Sequence, residues 1–222
     1  MNLEIFDDAD GVAAAAAELL IAATGNVVLS GGSTPKKAYA IVAERRTDWS
    51  GTRLWLGDER YVPATDEHAN VLMAQRALGA AAPIEGVDTE LALDAAAAEY
   101  EERLLAALEG RAGVDLALMG LGPDGHTASL FPGKPAVNET ERYVIGVPEA
   151  GMEPRVPRVT LTLPVFDAAR KVVFLVAGED KAEAMERAFG EPRDETAPAA
   201  LVRPQEGELI VLADRAAAAR LT

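Results

Sequence analysis

The stretch Val27-Val28-Leu29-Ser30-Gly31-Gly32-Ser33-Thr34-Pro35-Lys36 runs from apolar β-formers through a glycine turn into a helix start. Short, continuous apolar runs bounded by turn residues read as strands buried on both faces, as in parallel sheets. Working outward, similar runs fall at 27–30, 53–56, 114–119, 143–147, 171–177 and 209–212. Between most of them lie segments with helical spacing, at 11–23, 35–44, 70–78, 94–108, 180–189 and 214–220. This alternation predicts an α/β fold, a doubly wound and mainly parallel sheet with helices on both faces. No Ser/Gly linker, repeat or composition break divides the chain, so one domain over 1–222 is expected, with 192–204 as a loop around a short helix.

Composition narrows the partners. With 49% hydrophobic and 26% charged residues the chain is an ordinary globular sequence. A net charge of -15 argues against nucleic acid, which needs clustered Lys and Arg. A small anion would instead need a local basic pocket, so the few cations beside glycine loops gain weight. The absence of cysteine excludes disulfides, thiol chemistry and Cys-zinc sites. The acidic start and the apolar run 12–23, broken by Glu18 and too short for a bilayer, suit neither a secretory signal nor a membrane span. A cytoplasmic monomer or weak homodimer without membrane contact is expected.

In open α/β sheets, ligands bind beyond the carboxyl ends of strands, so the loops there are the candidates. In the first loop Gly31 and Gly32 let the backbone approach a ligand, Ser33 and Thr34 add hydroxyls, and Pro35 suits a first helical position. The free N–H groups of the helix start form an anion site, although a plain helix cap would read the same way. The segment lacks the Gly-Lys-Ser/Thr ending of a nucleotide P-loop, which favours a sugar phosphate over ATP. A second loop, Gly57-Asp58-Glu59-Arg60-Tyr61-Val62-Pro63, leads to Asn70 at a helix start. Its carboxylates and Arg60 could bind hydroxyls and a phosphate together, or form a solvated turn.

The third loop is Gly120-Leu121-Gly122-Pro123-Asp124-Gly125-His126-Thr127-Ala128-Ser129-Leu130-Phe131-Pro132. Its first six residues match the dinucleotide pattern, but Pro123 lies inside the turn and Pro132-Gly133 stops any following helix within about two turns. A nicotinamide site is therefore rejected. His126, one of 2 histidines, stands two residues after Asp124, where an imidazole could take a proton from water and a carboxylate could orient it. A lone loop histidine is as readily structural. Arg158 and Lys181 complete a possible cationic set, though either could be a surface charge; Lys181 in a first helical turn opposes the helix dipole, which favours a ligand there. His68 has no such framing and reads as exposed.

Together these loops, in this order, resemble the 6-phosphogluconolactonase family. The resemblance carries 30–35, Asp58-Glu59-Arg60 with Val62-Pro63 and Asn70, and the long histidine motif 120–132, with similar contexts around Arg158 and Lys181. It implies a modified doubly wound, Rossmann-like domain shared with glucosamine-6-phosphate deaminases and ribose-5-phosphate isomerases. It also implies hydrolysis of a phosphorylated sugar lactone in the oxidative pentose phosphate pathway, with no metal and no organic cofactor. By the resemblance His126 is the base, Asp124 and Asp58 fix the geometry, and Gly31, Gly32, Ser33, Thr34, Arg60, Asn70, Arg158 and Lys181 bind substrate and its phosphate.

The chemistry agrees with that inventory. A lactone is already activated, so a positioned water, a base and oxyanion stabilisation suffice. No Gly-x-Ser-x-Gly elbow and no zinc-binding His pair occurs. Two rivals share the fold: a glucosamine-6-phosphate deaminase and a non-catalytic sugar-phosphate sensor. The deaminases continue their Asp-Gly-His loop with a glutamate-bearing segment where this chain has Thr127-Ala128-Ser129-Leu130-Phe131-Pro132. A sensor has no need of the His126 and Asp124 retained here.

Overall fold

Successive side chains of a strand point to opposite faces, and here the two faces build separate cores. In the computed structural model, which describes residues 1–111 and 113–221, Val28, Trp55, Met119 and Phe174 enter one core and Val27, Leu54, Leu118 and Val173 the other. Ala112 and Thr222, both inside the expected domain, lie outside the described residues.

The elements run β1 (Asn2–Phe6), α1 (Ala9–Ala22), β2 (Gly25–Leu29), α2 (Ser33–Arg45), β3 (Thr52–Leu56), β4 (Asp58–Arg60), α3 (Asn70–Leu78), β5 (Ile84–Glu85) and α4 (Leu93–Leu108). They continue with β6 (Leu116–Gly120), β7 (Val144–Val147), β8 (Arg158–Leu161), α5 (Leu163–Asp167), β9 (Lys171–Val176), α6 (Ala182–Phe189) and β10 (Glu208–Asp214). Among the described residues, seven strands form a parallel sheet in the order β1-β10-β9-β6-β2-β3-β5. Helices α1, α2 and α3 pack on one face, and α4, α5 and α6 on the other. The doubly wound α/β expectation holds.

Strand order reverses between β2 and β6, because β3 lies to one side of β2 and β6 to the other. That switch point opens a crevice at the carboxyl ends of β2 and β6, where both glycine loops emerge. A second sheet, β4-β8-β7, is antiparallel and forms part of the wall there. It hangs on the main sheet through Gly57, whose N–H donates to the Leu29 carbonyl and whose carbonyl accepts from Leu161 N–H.

Four expectations need correction. Segment 143–147 forms a strand, but in the antiparallel sheet, where half-burial of Ile145 and Gly146 replaces burial on both faces. Segment 214–220 is not a helix: Asp214 ends β10, and its carboxylate accepts from Gly178 N–H and Ala217 N–H, which fixes turns instead. The 180–189 helix begins as a 3-10 turn, Glu179–Lys181, before α6. The short helix within 192–204 is a 3-10 turn, Pro198–Leu201.

Candidate active site

A cavity of about 220 Å³ lies over the switch point. It gathers Gly31 and Gly32 from the first loop, Asp58, Arg60 and Asn70 from the second, His126 from the third, and Lys181 from the start of α6. Met152, from the connection between β7 and β8, completes its rim. A larger hollow of about 570 Å³ lies against α4 and β7, but its lining includes none of these residues and its cations are paired, Lys134 with Glu149 and Arg142 with Glu101.

The third loop contains no helix. Gly122 N–H donates to the His126 carbonyl and Gly125 N–H to the Gly122 carbonyl, closing a tight turn that brings the imidazole back over Gly122. A Cβ at Gly122 would stand 2.0 Å from His126 Nδ1, so only glycine admits the ring there. His126 Nδ1 meets Asp124 Oδ1 at 2.5 Å, and Phe131 packs beside the ring at 4.8 Å between centroids. Burial pushes the Asp124 carboxyl up, but the hydrogen bonds and charge of His126 outweigh it and hold the group below its usual value. An ionised Asp124 accepting from Nδ1–H leaves Nε2 as the free base of the ring.

Asp58 joins the loops. Its Oδ2 accepts from Ser129 Oγ–H at 2.6 Å, while Asn70 Nδ2 donates to its carbonyl at 2.8 Å. Asn70 also closes on the first loop: a Cβ at Gly31 would meet Asn70 Oδ1 at 2.3 Å. Beneath them Glu59 is 2% exposed, and its carboxylate accepts from the N–H groups of Arg60, Asn70 and Val71, capping α3. Burial pushes its pKa up to about 7 against the pull of those three N–H groups.

The cations divide by depth. Arg60 donates from Nη1 to the His68 carbonyl at 2.7 Å, and its buried Nε has no partner among the described residues. Lys181 reaches the cavity with Asp180 at 3.2 Å. Arg158, opposite Arg60 across the β4–β8 pair, is 3% exposed, donates to the Pro154 carbonyl at 2.6 Å and lies behind the lining. Ser33 and Thr34, the first residues of α2, also fall off the lining; the N-cap before them is Gly32, which has no side chain to accept from the helix's first N–H groups. His68 is exposed, as expected.

Comparison with known proteins then fixes the lineage. The family model for glucosamine-6-phosphate isomerases and 6-phosphogluconolactonases matches residues 7–211. A 6-phosphogluconolactonase of Streptomyces coelicolor is 41% identical over 221 residues, covering 89% of this chain and 82% of that protein. This chain belongs to the 6-phosphogluconolactonase family.

Other members of the family agree. The Mycobacterium tuberculosis 6-phosphogluconolactonase is 36% identical, covering 99% of this chain and 98% of its own. The crystal structure of 6-phosphogluconolactonase from Leishmania guyanensis superposes with a TM-score of 0.88 at 30% identity, over 100% of this chain and 98% of that one. A monomeric glucosamine-6-phosphate deaminase shares the fold, with a TM-score of 0.81 at 17% identity over 99% of each chain. Within the 6-phosphogluconolactonase framework, the sequence left Ser129 and Met152 without a role, and it counted Glu59 among carboxylates for substrate hydroxyls, whereas that side chain is buried off the cavity on backbone N–H groups. Period-two alternation in Asp58-Glu59-Arg60 was the available signal for Glu59, since it turns that side chain away from its neighbours. Nothing local marks Met152.

Proposed function

We propose that the protein hydrolyses 6-phospho-D-glucono-1,5-lactone to 6-phosphogluconate in the oxidative pentose phosphate pathway, by general-base activation of water. The observation that carries this reading is the His126–Asp124 pair, 2.5 Å apart, on a cavity that also holds Arg60 and Lys181. Two cations suit a phosphate, and the oriented imidazole suits the reacting end. Family membership supports the same substrate.

In this mechanism His126 Nε2 takes a proton as a water oxygen bonds to lactone C1. The carbonyl electrons move to the oxygen, and the tetrahedral intermediate collapses with rupture of the C1–O5 bond. The imidazolium returns its proton to O5, leaving a hydroxyl and a carboxylic acid that ionises in water. Asp124 holds the ring and stabilises its charged form. Asp58 orders substrate hydroxyls, with Asn70 beside it. Arg60, Lys181 and the Gly31–Thr34 turn grip the phosphate, the turn through main-chain N–H groups at the start of α2. Arg158 adds positive potential from behind the wall. The reaction balances without a metal or organic cofactor.

The setting is read as the cytoplasm, with a monomer or weak homodimer acting on a free metabolite. The lack of cysteine supports this, and no helix among the described residues is long and apolar enough to cross a membrane. The acidity of the chain speaks against nucleic acid.

Lactonase assays on freshly generated 6-phosphogluconolactone, corrected for spontaneous hydrolysis, test the proposal. His126→Ala is expected to lower kcat by roughly a hundredfold or more while product still binds. A folded wild type no faster than background would overturn the function; full activity in the variant would overturn the mechanism.

A further inference from the structure

The base loop 120–132 has no helix to steady it, so beyond its own turn hydrogen bonds it depends on contacts from outside. One such contact behind the catalytic pair is made by Arg187 on α6. Its Nη1 donates to the Asp124 carbonyl at 3.2 Å, its Nε to Asp194 Oδ2 at 2.8 Å and its Nη2 to Thr196 Oγ1 at 3.0 Å. The planar guanidinium thus spans three acceptors in fixed directions, a geometry an ammonium cannot reproduce.

The segment it grips also holds the loop. Ala199 N–H donates to the Gly125 carbonyl, and Asp194 N–H to the Arg187 carbonyl. Gly125, at φ +89°, packs so close to Ala197 that a Cβ there would stand 2.7 Å from the alanine Cβ. Asp124 and Gly125 are therefore fixed on the side away from the cavity, immediately before His126. Arg187 itself is not part of the cavity lining, so it does not contact bound substrate.

We infer that Arg187 is a positioning residue for the reaction: with the 194–199 segment it clamps the Asp124 backbone so that the Asp124 carboxylate meets His126 Nδ1. This rests on His126 being the base. Loss of the guanidinium frees the loop to shift by fractions of an ångström, which is enough to misplace a general base without altering the phosphate grip. The signature is a fall in kcat with KM held, because Arg60 and Lys181 are untouched. A residue that merely stabilised α6 would leave kcat per folded molecule unchanged.

The experiment pairs steady-state kinetics with proton NMR of the full chain. The imidazole Nδ1–H bonded to Asp124 should give a slowly exchanging downfield resonance, absent in His126→Ala; His68 also meets a carboxylate, Asp66, through Nδ1, but at 61% exposure that proton exchanges rapidly with water. Arg187→Ala is expected to lower kcat roughly tenfold to a hundredfold, leave KM within about twofold and broaden or remove that resonance. Arg187→Lys should recover only part of kcat. If Arg187→Ala does not fold, Asp194→Asn and Thr196→Val, on a half-buried and an exposed partner, should show the same pattern at smaller size. Unchanged kcat and resonance in Arg187→Ala, or in both substitute variants, would overturn the inference, as would a rise in KM that accounts for the whole loss. An inactive wild type that still shows the resonance, and loses it in Arg187→Ala, would remove the lactonase reading while leaving the clamp in place.

Discussion

The glycine loops after β2 and β6 leave neighbouring parallel strands in the same direction at the same switch point, yet they end differently. The first closes in one turn and becomes α2, so its contribution is a helix start whose cap, Gly32, offers no side chain to the first N–H groups. The second forms no helix; it folds back on Gly122, and contacts from Asp58, Thr160, Arg187 and Ala199 hold it. A main-chain anion site needs only local geometry, whereas a base aligned with its partner carboxylate needs support from several elements. One loop is a product of sequence grammar and the other of tertiary structure.

Adding a single carbon to each loop separates them most sharply. In Gly122→Ala the new Cβ displaces the imidazole, so kcat should fall by roughly a hundredfold with little loss of thermal stability. Steady-state kinetics and a melting curve check this, and full kcat in the variant would mean the ring does not work from its observed place.

The support beneath the first loop is next in size. Glu59 has a pKa of about 7 in the folded protein against an ordinary 4.5, so between those values the native state binds more protons than the unfolded one. Its stabilising share is complete below about pH 4.5 and is lost as pH rises through 7, a change on the order of 3 kcal/mol. Glu59→Gln does not titrate, although its amide nitrogen would face Val71 N–H and lose that bond at every pH. Urea midpoints from pH 4.5 to 7.5 should therefore show wild type losing its advantage over the variant as pH rises; parallel curves would refute the shift.

Gly31→Ala is the counterpart of Gly122→Ala. Its Cβ collides with Asn70, whose side chain must leave the Asp58 carbonyl, at a cost of about 2 kcal/mol. The expected kinetic effect is on KM rather than kcat, and the reverse would place the first loop in the chemical step. Smallest of all, Lys37→Ala on α2 removes an exposed, solvent-screened pair with Asp10 and should leave the melting curve superimposable on that of the wild type.

These contrasts explain what could be read from the chain alone. The central strands were legible because burial on both faces forces uninterrupted Val, Leu and Ile, as in Lys171–Val176. Strand β4 is Asp58-Glu59-Arg60, three charged residues that mimic a solvated turn, and it becomes a strand only by pairing with Arg158–Leu161. Likewise β1, at the sheet edge, lacks the apolar run. Of the candidate site residues, Gly31, Gly32, Asp58, Arg60, Asn70, His126 and Lys181 share the cavity, and Asp124 touches it through His126. Glycine turns and strand ends announce such positions. The Ser129–Asp58 and Arg187–Asp124 contacts join residues 71 and 63 apart in sequence, and no local pattern encodes a meeting of that kind.

The outermost strand carries a consequence for how the chain is made. Asn2–Phe6 pairs with Glu208–Asp214, so β1 docks on the described strand that lies furthest from it along the chain and is made long after it. Until β10 has been synthesised, β9 has a free edge and β1, with Ile5 53% exposed even when docked, has no place in the sheet. Translation interrupted before residue 208 thus leaves a half-built sheet with an open hydrogen-bonding edge, a species suited to quality-control proteases and prone to pair with its own kind.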